Sequence, residues 1–180
     1  QLLTITNAHA GNDVFGGVIS DGGVGAGTGG SLKLTGGTQT LAGNNTFTGT
    51  VTIGNGSSQT TDATLAILAN GTLSSASDLV LSGKTTSTVR HAILDISQVA
   101  SSTSLVGLND GGAANSASQV NLGSKTLILT SPSASSDLFG GVISDGGILS
   151  GTTGNVTVLA GTQTLSNSNS YTGRTNINAS

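Results

Sequence analysis

Apolar residues alternate with polar ones in short stretches along the whole chain. Pairs of apolar residues that flank a single position each predict a short strand with one buried face. These pairs are Leu3/Ile5, Leu32/Leu34, Val51/Ile53, Leu65/Ile67, Leu79/Leu81, Leu94/Ile96, Val120/Leu122, Leu127/Leu129 and Val156/Val158. Between them lie residues that tolerate positive φ, as in Asp21-Gly22-Gly23 and Asn70-Gly71. The pattern predicts an all-β fold whose chain turns often.

The chain also repeats itself. A shift of 124 residues aligns residues 12–56 with 136–180 without a gap, and 22 of the 45 positions are identical. Upstream, Leu3 still aligns with Leu127, so that residues 1–56 resemble 125–180. Within each unit a smaller repeat relates Phe15-x-Gly17-x-Ile19 to Phe47-x-Gly49-x-Val51. A β-sandwich has no reason to repeat at a fixed offset, whereas stacked coils place similar residues in similar surroundings.

The repeat therefore predicts one β-solenoid over residues 1–180. We expect about eight coils of roughly 20 to 25 residues, each rising ~4.8 Å, in a rod of roughly 35 to 40 Å with parallel pairing. Phe15 and Phe139 should occupy equivalent inward sites, as should Phe47 and Tyr171. If Phe47 is buried, its replacement by Ala should cost about 3 to 5 kcal/mol.

Composition supports this fold class and excludes some partners. Gly, Thr, Ser and Asn make up 96 of the 180 residues and Glu is absent, which disfavours helices. The net charge is −3, and the five scattered cations Lys33, Lys84, Arg90, Lys125 and Arg174 cannot neutralise a run of phosphates, so we expect no nucleic acid partner. The apolar runs are too short to span a membrane. The chain starts at Gln1 and contains no Met, so we expect a processed product or a piece of a longer protein.

The end of each unit carries a more specific pattern. Residues 37–53 read GTQTLAGNNTFTGTVTI, and residues 161–177 read GTQTLSNSNSYTGRTNI. Both resemble the autotransporter-associated β-strand repeat. The resemblance implies a right-handed parallel β-helix in the passenger of a Gram-negative type V secreted protein, displayed on the bacterial cell surface. It further implies that the neighbouring coils of a parent chain are the main partners, together with a host or cell-surface glycan or protein receptor.

The carboxylates are candidates for catalysis because β-helices also include polysaccharide lyases and hydrolases. Asp21, Asp110 and Asp145 each precede Gly-Gly, which favours turns in which the side chain accepts local backbone hydrogen bonds. Asp13 and Asp137 are related by the repeat, and a feature copied in each unit is more often architectural than catalytic.

The best catalytic constellation is Arg90, His91 and Asp95, in which a His base could be oriented by a carboxylate. We expect instead that Asp95 points outward from a strand and that Arg90 and His91 form a solvated pair beside it with no special role. His9 and His91 lie too far apart in sequence for a convincing zinc site. The stretch Gly25-Ala-Gly27-Thr-Gly-Gly30 fits a dinucleotide fingerprint, but a strand rather than a helix follows it, so we expect a loop. No calcium repeat is present, and we assign no catalytic, cofactor-binding or metal-binding residue.

Three functions remain open. The first, which we favour, is a non-catalytic stalk or adhesive segment of a bacterial passenger. The second is a polysaccharide-active enzyme, which would need a groove with convergent Asp and Arg side chains. The third is an ice-binding solenoid, which would need pairs such as Thr4/Thr6, Thr38/Thr40 and Thr50/Thr52 to stack on one flat face.

Overall fold

The fold is an all-β solenoid. A computed structural model of the chain describes residues 1–6, 12–73, 78–112, 116–133 and 137–178. Strands make up 45% of it, and parallel sheets are stacked in about six turns. The one helical segment among these residues is a single 3-10 turn at Gly56–Ser58. The predicted fold class is therefore confirmed.

Three long parallel sheets form the walls, and a pair of short strands completes them. The first sheet contains β1 (Leu2–Ile5), β3 (Ser31–Leu34), β5 (Val51–Gly54), β7 (Leu79–Ser82) and β10 (Leu108–Asn109). The second contains β2 (Asn12–Phe15), β4 (Gly37–Leu41), β6 (Ala63–Ala69), β8 (Ala92–Val99), β11 (Ser118–Asn121) and β14 (Val142–Ser144). The third contains β9 (Ser102–Leu105), β12 (Thr126–Leu129), β15 (Asn155–Val158) and β17 (Thr175–Ile177), and the short pair is β13 (Leu138–Phe139) with β16 (Thr164–Leu165).

The core is built from ladders of inward apolar residues, one from each coil. In the first sheet, Leu32 pairs with Val51, Val51 with Leu79, and Leu79 with Leu108. All four side chains are buried. The alternation seen in the sequence sets this arrangement, because a strand places every second side chain on the same face. Each coil therefore adds its apolar residues to a single continuous core.

The coils are longer and fewer than the sequence analysis expected. Paired residues are separated by as few as 19 positions, from Leu32 to Val51, and as many as 30, from Ala69 to Val99. The prediction of about eight coils of 20 to 25 residues is therefore wrong. About six turns, at ~4.8 Å each, give a stack of roughly 25 to 30 Å. The difference arises because loops such as residues 19–30 extend a coil without adding to the stack.

All nine strand predictions are confirmed, with Leu122 just beyond the end of β11. Loop predictions also hold: residues 22–30 contain no helix, and Gly22 and Gly23 adopt φ values of 101° and 75°. The strands that were missed are short or polar, including β4, β9 and β16. Their residues show no clear apolar alternation, and their pairing with neighbouring coils decides their conformation.

Phe15 and Phe139 occupy equivalent positions, as predicted, but only one of the two rings is buried. Phe15 pairs with Leu41 and Phe139 with Leu165, so the two rings occupy repeat-equivalent positions. Phe139 is 0% exposed, as predicted, whereas Phe15 is 44% exposed. The expectation that Phe15 is inward and covered is therefore wrong. The reason is that β2 is the edge strand of its sheet, whereas the coil that contains β10 contacts β13.

The second aromatic pair shows the same effect at the other end of the stack. Phe47 is buried, and Tyr171 is only partly buried against the core. Tyr171 lies just before β17, which is the edge strand of the third sheet. Position along the stack, rather than residue type, thus decides how far each aromatic ring is covered.

Candidate functional site

A carboxylate clamp occurs in each repeat unit. Asp21 accepts hydrogen bonds from the amides of Gly29 (3.1 Å), Gly30 (2.7 Å) and Thr48 (3.0 Å) and from the Thr48 hydroxyl (2.5 Å). Asp145 accepts the equivalent four from Thr153 N (3.2 Å), Gly154 N (2.9 Å), Thr172 N (3.0 Å) and Thr172 Oγ1 (2.6 Å). Each clamp joins a coil to the next.

The clamps correct the sequence analysis in one respect. The predicted local turn bonds are not those that Asp21 and Asp145 make, because their partners lie 8, 9 and 27 residues further along the chain. The expected architectural role is nevertheless the one observed. A Cβ at Gly30 would lie 2.6 Å from Asp21 Oδ1, which explains why a glycine occupies this position in both units. Asp110 does make a local bond, accepting from Gly112 N at 2.9 Å, and also accepts from Gly140 N at 2.7 Å.

These hydrogen bonds favour the charged form of each clamp carboxylate. The Thr48 hydroxyl, together with three amides, lowers the pKa of Asp21 against the opposing effect of burial. Burial acts to raise the pKa of Asp145, but the Thr172 hydroxyl and the amides outweigh it and the pKa is lowered. The stability that the clamps contribute is therefore present above the unfolded-state pKa and is lost as the pH falls through the folded-state values.

A buried amide forms a second link between coils. Asn45 accepts a hydrogen bond from Ile19 N at 2.9 Å and donates to Thr72 O at 3.1 Å, so it connects the coils before and after its own. Its repeat equivalent Asn169 accepts from Ile143 N at 2.8 Å. The sequence analysis did not single out either residue, although their identity in both units was a signal that could have found them.

Asp95, one of the three residues weighed as a catalytic constellation, bonds to other groups than His91. Asp95 lies on the outer side of its strand, as expected, but it is only 1% exposed because a loop covers it. It lies on β8 between the core residues Leu94 and Ile96, but its carboxylate accepts from Ile148 N (2.8 Å) and from Ser97 N (2.9 Å) and Oγ (2.6 Å). A loop from a later coil covers it.

His91 has a different carboxylate neighbour from the one considered in the sequence. Its Nδ1 lies 3.8 Å from Asp62 Oδ2, and its backbone amide donates to Asp62 Oδ1 at 2.9 Å. Both side chains are exposed, so the ion pair is worth little. Arg90 forms an antiparallel bridge with Lys84 through backbone bonds of 2.8 and 3.0 Å. His9 lies outside the described residues.

A pair of carboxyl groups that the sequence did not reveal lies just before β7 and β13. Asp137 is 4% exposed, and a Cβ at Gly107 would lie 2.3 Å from its Cγ. Asp78 lies close enough to Asp137 to feel its charge, and the Asp78 Oδ1 is buried without a hydrogen-bond partner. Burial and the charge of Asp137 raise the pKa of Asp78 to about 6. The repeat did not predict this pair, because Asp13, the equivalent of Asp137, is exposed in the first unit.

This pair gives a pH dependence of stability. Because the folded-state pKa of Asp78 is raised from 3.8 to about 6, the free energy of unfolding should fall as the pH rises across that window. Asp78→Asn should abolish this slope and stabilise the protein above pH 6 by on the order of 1 kcal/mol, after allowance for solvent screening. Urea denaturation of the wild type and of Asp78→Asn at pH values between 4 and 8 measures both the slope and the stabilisation.

Asp21→Asn is the matched control for this measurement. Because the pKa of Asp21 is lowered, its removal should change stability without changing the slope between pH 4 and 6. A wild-type stability that rises or stays level over that range would contradict the expectation.

Neither a metal nor a membrane span finds support in the described part of the chain. Across residues 1–6, 12–73, 78–112, 116–133 and 137–178, no three His, Cys, Asp or Glu residues are grouped so that they could hold a metal ion. Within the same ranges, no helix has the length and apolar character needed to cross a membrane.

An open cavity with both apolar and polar walls lies at the first coil. A cavity of about 590 Å³ is lined by Leu2, Leu3, Ile19, Val24 and Phe47, together with glycines of the loop over residues 22–30. It opens beside β1, whose outer edge carries no strand among the described residues.

No family model, curated protein or solved structure matches the chain. The resemblance of residues 37–53 and 161–177 to the autotransporter-associated β-strand repeat therefore stays a prediction.

Proposed function

We propose that this chain is a non-catalytic stalk segment of an autotransporter-type passenger on the surface of a Gram-negative bacterium, with polar sides available for adhesion. The observation that carries the proposal is the duplicated clamp. Asp21 and Asp145 hold equivalent loops with equivalent bonds 124 residues apart, and each bonds to its own coil and to the next. Carboxylates bonded in this way hold the loops and coils in place.

The other described carboxylates support the same interpretation. Asp95 bonds to a covering loop, Asp110 to two glycine amides, and Asp62 to the backbone of His91. A rod built from such coils can be lengthened by duplication, since the bonds that hold a coil come from coils one or two turns away. This property suits a segment that holds a receptor-binding region away from the cell.

The polysaccharide-active alternative draws on Asp78 and Asp137. A carboxyl group with a pKa of about 6 beside a second carboxylate is typical of an acid catalyst. Asp137, however, is only 4% exposed and lies directly against Gly107, which leaves no open space beside it for a sugar chain. The pair therefore favours a structural role.

The ice-binding alternative finds less support. In the first sheet, Thr4 pairs with Lys33, Lys33 with Thr52, and Thr52 with Val80. A lysine and a valine thus interrupt the threonine ladder on this face. In the second sheet, Thr40 is buried rather than displayed.

A turnover assay tests the non-catalytic proposal. The purified chain should produce no new reducing ends or unsaturated products from pectin, alginate or other polysaccharides beyond those of a heat-denatured sample. Turnover that Asp78→Asn abolishes and Asp62→Asn leaves intact would overturn the proposal and favour the enzyme.

A labelling experiment tests the surface location. Antibodies against the chain should bind intact cells of the source bacterium, and added protease should remove the signal. A cytoplasmic marker that stays unlabelled controls for cell integrity. Labelling that requires permeabilised cells would contradict the proposed location.

A further inference from the structure

A hairpin leaves the solenoid in the middle of the stack, at the corner between β7 and β8. Lys84 and Arg90 close it by exchanging backbone hydrogen bonds of 2.8 and 3.0 Å, and residues 85–89 between them are all exposed. Between β3 and β4, which belong to the same two sheets, Thr35 and Gly36 are enough to turn the corner. The extra residues of the hairpin are therefore not needed to continue the coil.

The hairpin places two cations side by side. Because Lys84 and Arg90 form a hydrogen-bonded antiparallel pair, their Cα atoms lie about 5.5 Å apart and their side chains leave the same face of the ribbon. Like charges in such a pair are unfavourable. In the described part of the chain, no carboxylate lies within ion-pair distance of either side chain. The pair uses two of the five cations in the sequence without an ion pair to offset their repulsion.

Carboxylates of the adjacent coils at this corner are bonded to other groups. Asp62, just before β6, accepts from the His91 amide at 2.9 Å, and its other oxygen lies 3.8 Å from His91 Nδ1. Asp110, just after β10, accepts from the amides of Gly112 and Gly140. A local arrangement that costs stability without an internal compensation is typical of a functional site. What the cation pair lacks is an anionic ligand.

We propose that the hairpin formed by residues 84–90 binds an acidic polysaccharide, with an anionic group of the polymer held between Lys84 and Arg90. Hydrogen bonds from two cations to one anion are charge-assisted, and the anion removes the repulsion within the pair. Residues 85–88 are Thr, Thr, Ser and Thr, so the exposed part of the hairpin offers hydroxyls to a sugar chain. Ser87 keeps its hydroxyl at a φ of 62°, where glycine is favoured.

The chemistry around the hairpin favours a polysaccharide over a nucleic acid. DNA carries one negative charge per about 1.7 Å of helix axis, and Asp62, bonded to the residue after Arg90, would repel so dense a charge. No Phe, Tyr or Trp lies between Phe47 and Phe139 on which a base could stack. A sugar polymer with one acidic group per unit has sparser charge and many hydroxyls, which two cations and a row of hydroxyls match.

This inference rests on the adhesive role proposed above and names the partner for it. Surface labelling of intact cells together with a purified chain that binds no acidic polysaccharide would overturn the inference and leave the stalk function standing. Binding by the purified chain without surface labelling would overturn the proposed location and support the hairpin site.

Titration followed by ¹H–¹⁵N NMR tests the site on the purified chain. Oligogalacturonate, which carries carboxylates, or sulfated dextran oligomers should shift the amide signals of residues 84–90, and the stronger of the two identifies the acidic group. Neutral dextran oligomers should leave these signals unchanged. The inference would be overturned by the absence of shifts with both acidic probes, by shifts confined to other parts of the solenoid, or by a DNA oligonucleotide that binds more tightly than either.

Substitutions at the cation pair test the role of each charge. Lys84→Gln and Arg90→Gln should each weaken binding about tenfold or more. Lys125→Gln removes the same charge just before β12 and is the matched control, which should bind as the wild type does.

Lys84→Glu separates binding from folding. It replaces the repulsive pair by an attractive one, so it should abolish binding while the melting temperature stays at or above that of the wild type. Binding that survives this substitution would overturn the inference.

Discussion

Phe139→Ala is expected to lower the free energy of unfolding by about 3 to 5 kcal/mol, whereas Phe15→Ala should cost no more than about 1.5 kcal/mol. The two rings occupy equivalent positions in the repeat, but Phe139 is fully buried and Phe15 is 44% exposed. Truncation of Phe139 removes apolar contacts and leaves a cavity that neighbouring coils cannot fill. Truncation of Phe15 leaves a space that water can enter.

Urea denaturation followed by circular dichroism measures both variants. Phe47→Ala and Tyr171→Ala provide a second pair. Here the buried ring, Phe47, belongs to the first repeat unit, and the partly buried ring, Tyr171, belongs to the second. Phe47→Ala should also cost about 3 to 5 kcal/mol. Equal losses for Phe139→Ala and Phe15→Ala would contradict the view that coverage by a neighbouring coil determines the contribution of each ring.

Gly54→Ala is the second substitution with a large expected effect. We expect it to lower the free energy of unfolding by about 3 kcal/mol or more. Gly54 has a φ of 94°, and an added Cβ would lie 2.3 Å from the backbone oxygen of Ser82 in the next coil. The variant must therefore adopt an unfavourable backbone conformation and also push two coils apart. Backbone atoms on the neighbouring strand cannot move aside as a flexible side chain could.

Gly146→Ala separates these two causes. Gly146 has a φ of 92°, and no atom lies within 4 Å of the position of an added Cβ. Gly146→Ala should lower the free energy of unfolding only by the cost of its unfavourable backbone conformation, about 1 to 2 kcal/mol. Thermal and urea denaturation of both variants gives the comparison. A loss for Gly146→Ala as large as that for Gly54→Ala would show that the close approach of the coils contributes nothing.

Much of the fold could be predicted from the sequence because the core strands carry a simple signal. Leu32/Leu34, Val51/Ile53 and Leu79/Leu81 alternate strictly, and the structure pairs them in one ladder. Strands such as β4 and β9 could not be predicted in the same way. Their Thr, Ser and Gln residues are compatible with loops, and only hydrogen bonds to neighbouring coils hold them extended.

The polar links between coils were only partly predictable. Asp21 and Asp145 were recognised as architectural from the repeat, but their partners come from other parts of the coil and from the next one. The Asp78 and Asp137 pair could not be predicted, since the two residues come from different coils and only one of them belongs to the repeat. Sequence spacing does not reveal contacts between coils when coil length varies.

The sequence by itself determined that the chain is a solenoid with inward apolar ladders and two related units. Alternation defines which face of a strand an apolar residue occupies, and a repeat at a fixed offset indicates stacked coils. Only the tertiary structure decided which residues are covered. Phe15 and Phe139 have the same local sequence but different burial, and Asp95 lies on the outer side of its strand yet is buried under a loop. The physical reason is that side-chain direction is set locally, whereas burial depends on what the neighbouring coils and loops place on that side.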